Sequence, residues 1–174
     1  MSSALCGLNR IGHFDGVCTV VYRLLSLIKP ENLYLGEKDW QQLLILKNLV
    51  LTNKLDVDIK SISTQRDFDG IPLSSRNVHL SENERKLIRF FSSELLEAKK
   101  NFQQEKKINL KEIVKNLKAK KISIEYLEHL HPHSLEKARF EDNISLLAGA
   151  IRCGETRLIA VSYTHLTLPT KASV

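Results

Sequence analysis

The sequence predicts an α/β chain in which part of an open parallel sheet is followed by a small α+β domain with a short antiparallel sheet. Two observations lead there. First, the apolar run Leu33-Tyr34-Leu35 is separated by Gly36-Glu37-Lys38-Asp39 from a helically spaced run, and a second β-rich stretch, Val57 to Ser63, follows; that is a strand-helix-strand unit. Second, beyond a turn-rich loop around Ser74 the pattern changes to amphipathic helices and then to short β-rich runs. The boundary placed in this loop divides 1–66 from 67–160. With 43% of its 174 residues apolar, the chain has enough for a real core in one domain or two small ones.

The elements follow in order. Phe14 to Lys29, FDGVCTVVYRLLSLIK, reads as a helix that starts near Asp15, buries Val17, Val20, Val21, Leu24, Leu25 and Ile28, and ends at Pro30. Leu33 to Leu35, bounded by Pro30 and Gly36, suits a buried strand. From Trp40 the spacing is helical, with Leu43, Leu44, Lys47 and Val50 on one face and Leu46 and Leu49 widening it. Val57 to Ser63 supplies the second strand, parallel to the first through a right-handed crossover. TQRDFDGIPLSSRNVHL is a loop punctuated by Gly70 and Pro72. Ser81-Glu82-Asn83-Glu84 is a capping box opening a long helix to about Gln103. Ile108 to Lys120 is another helix, and ISIEYLEHL, ISLLAGAIR and ETRLIA read as antiparallel strands.

The net charge is +6, with lysines concentrated between Ala98 and Lys121. Ile108, Leu110, Ile113, Val114 and Leu117 form an apolar stripe that leaves those lysines on a solvated face. Phe102 is the single aromatic among them and no recognition motif stands nearby, so a nucleic-acid partner is not expected. No basic stretch leads into an apolar run at the start, and no apolar run approaches ~18 residues; neither a signal peptide nor a membrane span is expected, and the cytoplasm is the expected compartment. Cys6, Cys18 and Cys153 are odd in number and lack a Cys-x-x-Cys pair, which points to reduced, mostly buried thiols. His129, His131 and His133 alternate in HLHPH as metal ligands on an extended chain would, but Pro132 interrupts them and the segment reads as a polar strand end.

The residues that can carry chemistry gather at turns. In an open α/β sheet the strand-to-helix turn lies at the carboxyl end of the strand, where ligands bind, and the following helix presents free N–H groups and its positive dipole end. Lys38 can supply a point charge to phosphate oxygens there, and Asp39 can take a magnesium ion or a ribose hydroxyl; the same tetrapeptide also suits a capped, charged helix start. Of Gln41 and Gln42, one helical residue can face the turn while its neighbour faces solvent. Ser74, Ser75 and Arg76 in GIPLSSRN combine two hydroxyls with a guanidinium, a set that can wrap a triphosphate and neutralise charge shifting to a leaving pyrophosphate, or simply make a polar loop. Arg10, His13 and Asp15 in NRIGHFDG place a cation, an imidazole and a carboxylate before a helix, enough to hold a small acid or to form a cap beside a satisfied histidine.

Together, RIGHFDGVCTVVYRLLSLIKPENLYLGEKDWQQLLILKNLV, QRDFDGIPLSSRN and TRLI resemble the pantothenate synthetase (pantoate–β-alanine ligase) family. Its pattern runs Arg-Pro-Gly-His-Phe-x-Gly-Val, then Gly-Glu-Lys-Asp-x-Gln-Gln, then Asp-Gly-x-x-x-Ser-Ser-Arg-Asn. The resemblance spans Leu5 to about Ile159. It implies the C-terminal part of a Rossmann-like nucleotidylyltransferase-type parallel sheet, followed by the small α+β domain. It also implies ATP-dependent condensation of pantoate with β-alanine to pantothenate through pantoyl adenylate, with Mg2+ and a homodimeric enzyme. By this resemblance Gly36, Glu37, Lys38, Asp39, Gln65, Leu73, Ser74, Ser75 and Arg76 line the ATP site. Lys38, Ser74, Ser75 and Arg76 are its catalytic residues, Gln42, Arg10 and His13 bind substrate, and Asp39 holds Mg2+.

The chain departs from the pattern at three places. Ile11 replaces the family's Pro. Nothing resembles the family's opening Pro-Thr-Met-Gly and His-x-Gly-His stretch, so the main catalytic His is absent. The portion present is expected to be inactive alone, with a non-catalytic nucleotide-binding or dimerising remnant as the alternative. After TRLI, where the family continues with Asp-Asn, Val161 to Thr170 reads VSYTHLTLPT, which looks like a translated transposon-end adapter; 161–174 is therefore expected to be a non-native tail.

Overall fold

Gly12 has a φ of 74°, a left-handed conformation that glycine takes without Cβ strain, and the chain turns from it into α1 (His13–Ile28). The computed structural model describes Leu5 and residues 12–139, 141–153 and 156–165. The chain divides into two units, Met1–Asp67 and Phe68–Val174.

In the first unit α1 is followed by β1 (Asn32–Gly36), a 3-10 turn (Glu37–Asp39), α2 (Trp40–Thr52) and β2 (Asp58–Ile62). The strands pair in parallel, Leu33 with Ile59 and Gly36 with Ile62, as a strand-helix-strand sequence requires. Trp40, Leu43, Leu44, Ile45 and Leu46 of α2 are buried, whereas Lys47, on the expected apolar face, is exposed. Two expectations need correction. Val20, Leu24 and Ile28 of α1 are 57%, 48% and 68% exposed; of the expected buried face only Leu25 is buried, with Val17 and Val21 half-buried. In β1, Leu33 and Leu35 are half-buried and Tyr34 is 62% exposed. The cause is coverage: a parallel strand is enclosed only when layers cover both faces, and here the sheet has two strands and α1 packs chiefly on α2.

The second unit begins with a 3-10 turn (Ser75–His79) and continues through α3 (Glu82–Glu105), α4 (Leu110–Ala119), β3 (Ser123–Leu130), β4 (Ile144–Cys153) and β5 (Thr156–His165). The capping box forms as expected: Ser81 Oγ accepts the Glu84 N–H, and Glu84 Oε2 accepts the Ser81 N–H at 2.9 Å. Asn109 caps α4 by accepting from the Glu112 N–H, and Ile113 and Leu117 turn inward while Lys111, Lys115 and Lys118 face solvent.

The sheet is antiparallel in the order β3-β4-β5. Leu147, Ile151, Leu158 and Ala160 form a core with Ile88, Phe91, Leu95 and Ala98 of α3 and with Ile113 and Leu117 of α4. β4 is central and buried on both faces, Leu147 and Ile151 on one and Leu146, Ala148 and Ala150 on the other. A register shift between Ile124 and Tyr126 leaves Glu125 outside the pairing, and its carboxylate joins Arg152 of β4 (3.1 Å) to Arg157 of β5 (2.6 Å). β5 continues through Val161–His165, where it pairs with Ile144–Ala148 and buries Val161, Ser162 and Thr164. Among the described residues no helix is long and apolar enough to cross a membrane.

Candidate active site

The residues singled out from the sequence fall into two clusters, one in each unit. In the first, β1 ends at Gly36 and the 3-10 turn carries Glu37, Lys38 and Asp39 directly into α2. Asp39 occupies the position before the helix yet makes no capping hydrogen bond through its side chain. Its carboxylate instead lies 3.7 Å from the Lys38 ammonium, which is 22% exposed against 53% for Asp39. A sheltered cation beside an open carboxylate, at a helix start whose Asp39 leaves the first turn uncapped by its own side chain, is suited to polyphosphate. The next turn buries Gln41 and leaves Gln42 half-buried, so Gln42 is the amide with access to solvent. Gln65, beyond β2, is exposed and donates from Nε2 to the Ser63 carbonyl at 3.1 Å. His13, at the start of α1, is half-buried with its ring 5.1 Å from that of Phe14. Arg10 and Ile11 lie outside the described residues.

The second cluster is the segment Leu73 to Asn77. Leu73, Ser75 and Arg76 are exposed and Ser74 is half-buried, its Oγ accepting the Arg76 N–H at 3.3 Å. Asn77 closes the segment: its N–H donates to Ser74 O and its Nδ2 to Pro72 O, both at 3.0 Å. Ahead of the tip, Ile71 and Pro72 are buried, and Gly70 takes a φ of 82°. Asp69 accepts the Ile71 N–H on Oδ1 and the Arg85 Nε on Oδ2. An exposed polar tip thus stands on an anchored base, the arrangement a phosphate-contacting loop needs.

Asp69, Asn77 and Arg85 are the residues that sequence reasoning passed over. The Asp-Gly turn and the Asn that ends GIPLSSRN were visible in the motif. Nothing in the local pattern singled out Arg85, whose partner is 16 residues away.

Neither remaining candidate adds to the site. His129 Nε2 is 2.8 Å from the Oγ of fully buried Ser145, and burial holds its pKa below the usual histidine value, with Asp142 opposing. His131 Nδ1 accepts the N–H groups of His133 and Ser134, so it closes a turn. Cys18 is half-buried and Cys153 buried; both are free, with burial pushing each thiol above its ordinary value, and Cys6 lies outside the described residues. A cleft of 620 Å³ in the first unit is lined by Leu25, Lys29, Glu31, Lys54 and Asp58, at the opposite end of β1 from Lys38.

A family model described as pantoate-beta-alanine ligase matches residues 1–162. A bifunctional pantoate ligase/cytidylate kinase of Prochlorococcus marinus strain MIT 9215 is 89% identical over 159 residues, covering 91% of this chain and 31% of that protein. The protein of the same description from strain NATL1A is 46% identical over the same shares of the two chains. The chain therefore spans about a third of the length of these relatives. Pantothenate synthetase from Thermus thermophilus superposes with a TM-score of 0.83 at 32% identity, over 92% of this chain and 59% of that one. Pantoate-beta-alanine ligase from Francisella tularensis, solved with β-γ ATP and β-alanine, gives 0.73 at 32% identity, over 93% and 54%. The Gly-Glu-Lys-Asp turn, the Ser-Ser-Arg-Asn segment and these matches agree: the chain belongs to the pantoate–β-alanine ligase family.

Proposed function

We propose that this chain carries the phosphate-handling part of an enzyme that condenses pantoate with β-alanine to pantothenate at the expense of ATP. The observation that carries the proposal beyond family membership is the start of α2. Its N-terminal position holds Asp39 without a side-chain cap, and Lys38 is sheltered beside it, so the alternative of a merely capped helix lacks its cap. The Francisella relative, solved with β-γ ATP and β-alanine, supports the same substrates.

The chemistry needs two displacements. The pantoate carboxylate attacks the α-phosphate of ATP and pyrophosphate leaves; the β-alanine amine then attacks the acyl carbon of pantoyl adenylate and AMP leaves. Charge grows on phosphate oxygens in the first step, so positioned cations and hydroxyls do most of the work. Lys38 faces the polyphosphate, and Ser74, Ser75 and Arg76 clamp the departing pyrophosphate. Gly36, Glu37, Gln65 and Leu73 line the nucleotide. Gln42 orients pantoate, with Arg10 and His13 as further substrate-binding residues. Asp39, a single open carboxylate, would hold a Mg2+ ion there, and such an ion would neutralise polyphosphate charge. A Rossmann-like sheet, a homodimer and a cytoplasmic location belong to the same proposal through the family resemblance.

The test is AMP release from ATP. With this chain's residues carried in a full-length family enzyme, release should require both pantoate and β-alanine, and the 174-residue chain alone should release none. AMP formation indifferent to pantoate in the full-length protein refutes the ligase proposal, and turnover by the chain alone refutes its incompleteness.

A further inference from the structure

Arg85 lies outside the Ser-Ser-Arg-Asn motif, in the first turn of α3, yet it holds the base of that segment. Its Nε donates to Asp69 Oδ2 at 2.7 Å, and the Asp69 carboxylate is 6% exposed, so the charge it carries is sheltered and depends on its partner. The same carboxylate accepts the Ile71 N–H through Oδ1 at 3.4 Å, across a Gly70 whose φ of 82° only a residue without Cβ adopts freely. Arg85 is itself fixed: its N–H donates to Ser81 O at 2.9 Å in the turn that the capping box closes, and its guanidinium lies 5.4 Å from the centre of the Phe68 ring. Between this pair and the tip Ile71 and Pro72 are buried, and from beyond the tip the Asn77 Nδ2 donates back to the Pro72 carbonyl. Ser75 and Arg76 therefore project from a segment to whose geometry the Arg85–Asp69 pair and the Asn77 latch both contribute.

We infer that Arg85 is a positioning residue for Ser75 and Arg76, acting through Asp69, and that the Arg85–Asp69 pair sets how the loop presents its hydroxyl and guanidinium to phosphate. The functional half of this statement rests on the proposed role of the loop. The structural half stands on the Arg85–Asp69–Ile71 geometry alone. Arginine suits the task because its planar fork keeps Nε on the carboxylate while the rest of the group lies against Phe68, a combination lysine lacks.

Amide hydrogen exchange in the 174-residue chain, with and without ATP, separates the two halves. Arg85→Gln should accelerate exchange at Ile71 and Asn77 by about ten-fold or more, the equivalent of one charge-assisted hydrogen bond, while Leu147 and Ile151 of β4 keep their protection. ATP should protect the Ile71 and Asn77 amides in the unmodified chain, and Arg85→Gln should raise the ATP concentration needed by about ten-fold. Arg85→Lys, which keeps the charge without the fork, should fall between the two. Asp69→Asn should reproduce the Arg85→Gln effect, and combining them should add little, as coupled partners require. Unchanged exchange at Ile71 and Asn77 in Arg85→Gln overturns the inference, and so does a loss of protection spread equally over β4 in both Arg85→Gln and Arg85→Lys. Absence of ATP protection in the unmodified chain counts against the phosphate role of the loop, and the exchange comparison still decides whether Arg85 fixes it.

Discussion

Gly149 sits at the middle of β4, opposite Leu127, and Gly149→Ala tests how tightly the second unit is packed. A Cβ at that position would lie 2.8 Å from Phe91 Cζ, 3.2 Å from Phe91 Cε2 and 3.1 Å from Leu127 Cδ1. Carbon atoms rest about 3.5–4.0 Å apart, so the ring must retreat by roughly 0.7 Å or more. Phe91 is 1% exposed and packed in the core between α3 and the sheet, which leaves the ring little space to yield. Overpacking of this kind typically costs about 1–3 kcal/mol, and the stiffer unfolded chain that alanine brings returns about 0.4–1. The difference spans about 0–2.6 kcal/mol, a ring with so little room to yield places the loss in the upper half of that span, and each kcal/mol lowers the Tm of a domain of roughly 100 residues by about 4–8 °C. Scanning calorimetry on the chain reads this directly. Phe91→Leu in the same molecule should relieve the clash, so that the double variant loses less than the sum of the single losses. A Gly149→Ala protein that melts at or above the parent temperature refutes the packing argument.

Lys38→Ala, in a full-length family enzyme carrying this chain's residues, should slow adenylate formation by on the order of 10²–10³. The same change should move stability by no more than ~1 kcal/mol, and rapid-quench measurement of adenylate against thermal unfolding separates the two effects. The folded state holds the His129 pKa below its unfolded value, so the unfolded chain takes up the proton first as pH falls below ~6.5. Stability should therefore fall through that range and level off below the lowered folded value; urea titrations at a series of pH values should show that slope reduced in His129→Gln. If the stretch from Val161 to Thr170 is adapter-derived, sequencing the locus from native DNA should show other codons after Ala160, and finding these codons in place removes the proposal.

What could be read from the sequence was what local physics decides. Ser81 and Glu84 form their capping box wherever the helix goes, and the strand-helix-strand order obliges β1 and β2 to run parallel. The Lys38-Asp39 turn was legible for the same reason, since a short apolar run followed by helical spacing leaves only one place for the turn. Long-range pairing was not legible. Arg85 looks like any charged residue in a first helical turn until Asp69 is seen beneath it, and Glu125 looks like a surface carboxylate until a register shift brings it between Arg152 and Arg157. Spacing left open which glutamine turns inward; packing buries Gln41 and leaves Gln42 open. Periodicity reports which face of a helix is apolar, not whether anything covers it, and α1 is the case in point.

Val20, Leu24, Leu27 and Ile28 lie along one face of α1, spaced by four, three and one residues, and are 57%, 48%, 82% and 68% exposed. Tyr34 of β1 and Ile62 of β2 are exposed as well. An apolar stripe of this length is unusual on a solvated surface, and a parallel sheet is normally covered on both faces. The solved Thermus pantothenate synthetase, of which this chain covers 59%, has further chain available to cover such a face. If the longer relatives do cover it, the same substitution should have two different consequences. Leu27→Glu in the 174-residue chain exchanges one exposed side chain for another and should stay within about 0.5 kcal/mol. In a full-length relative the corresponding change would place a carboxylate against apolar surface and should cost several times as much, of the order of a buried unpaired charge. Urea denaturation of both proteins with and without the substitution makes the comparison. A small and equal effect in the two would show that the stripe on α1 is solvent-facing throughout the family, and its apolar spacing would then need a different cause.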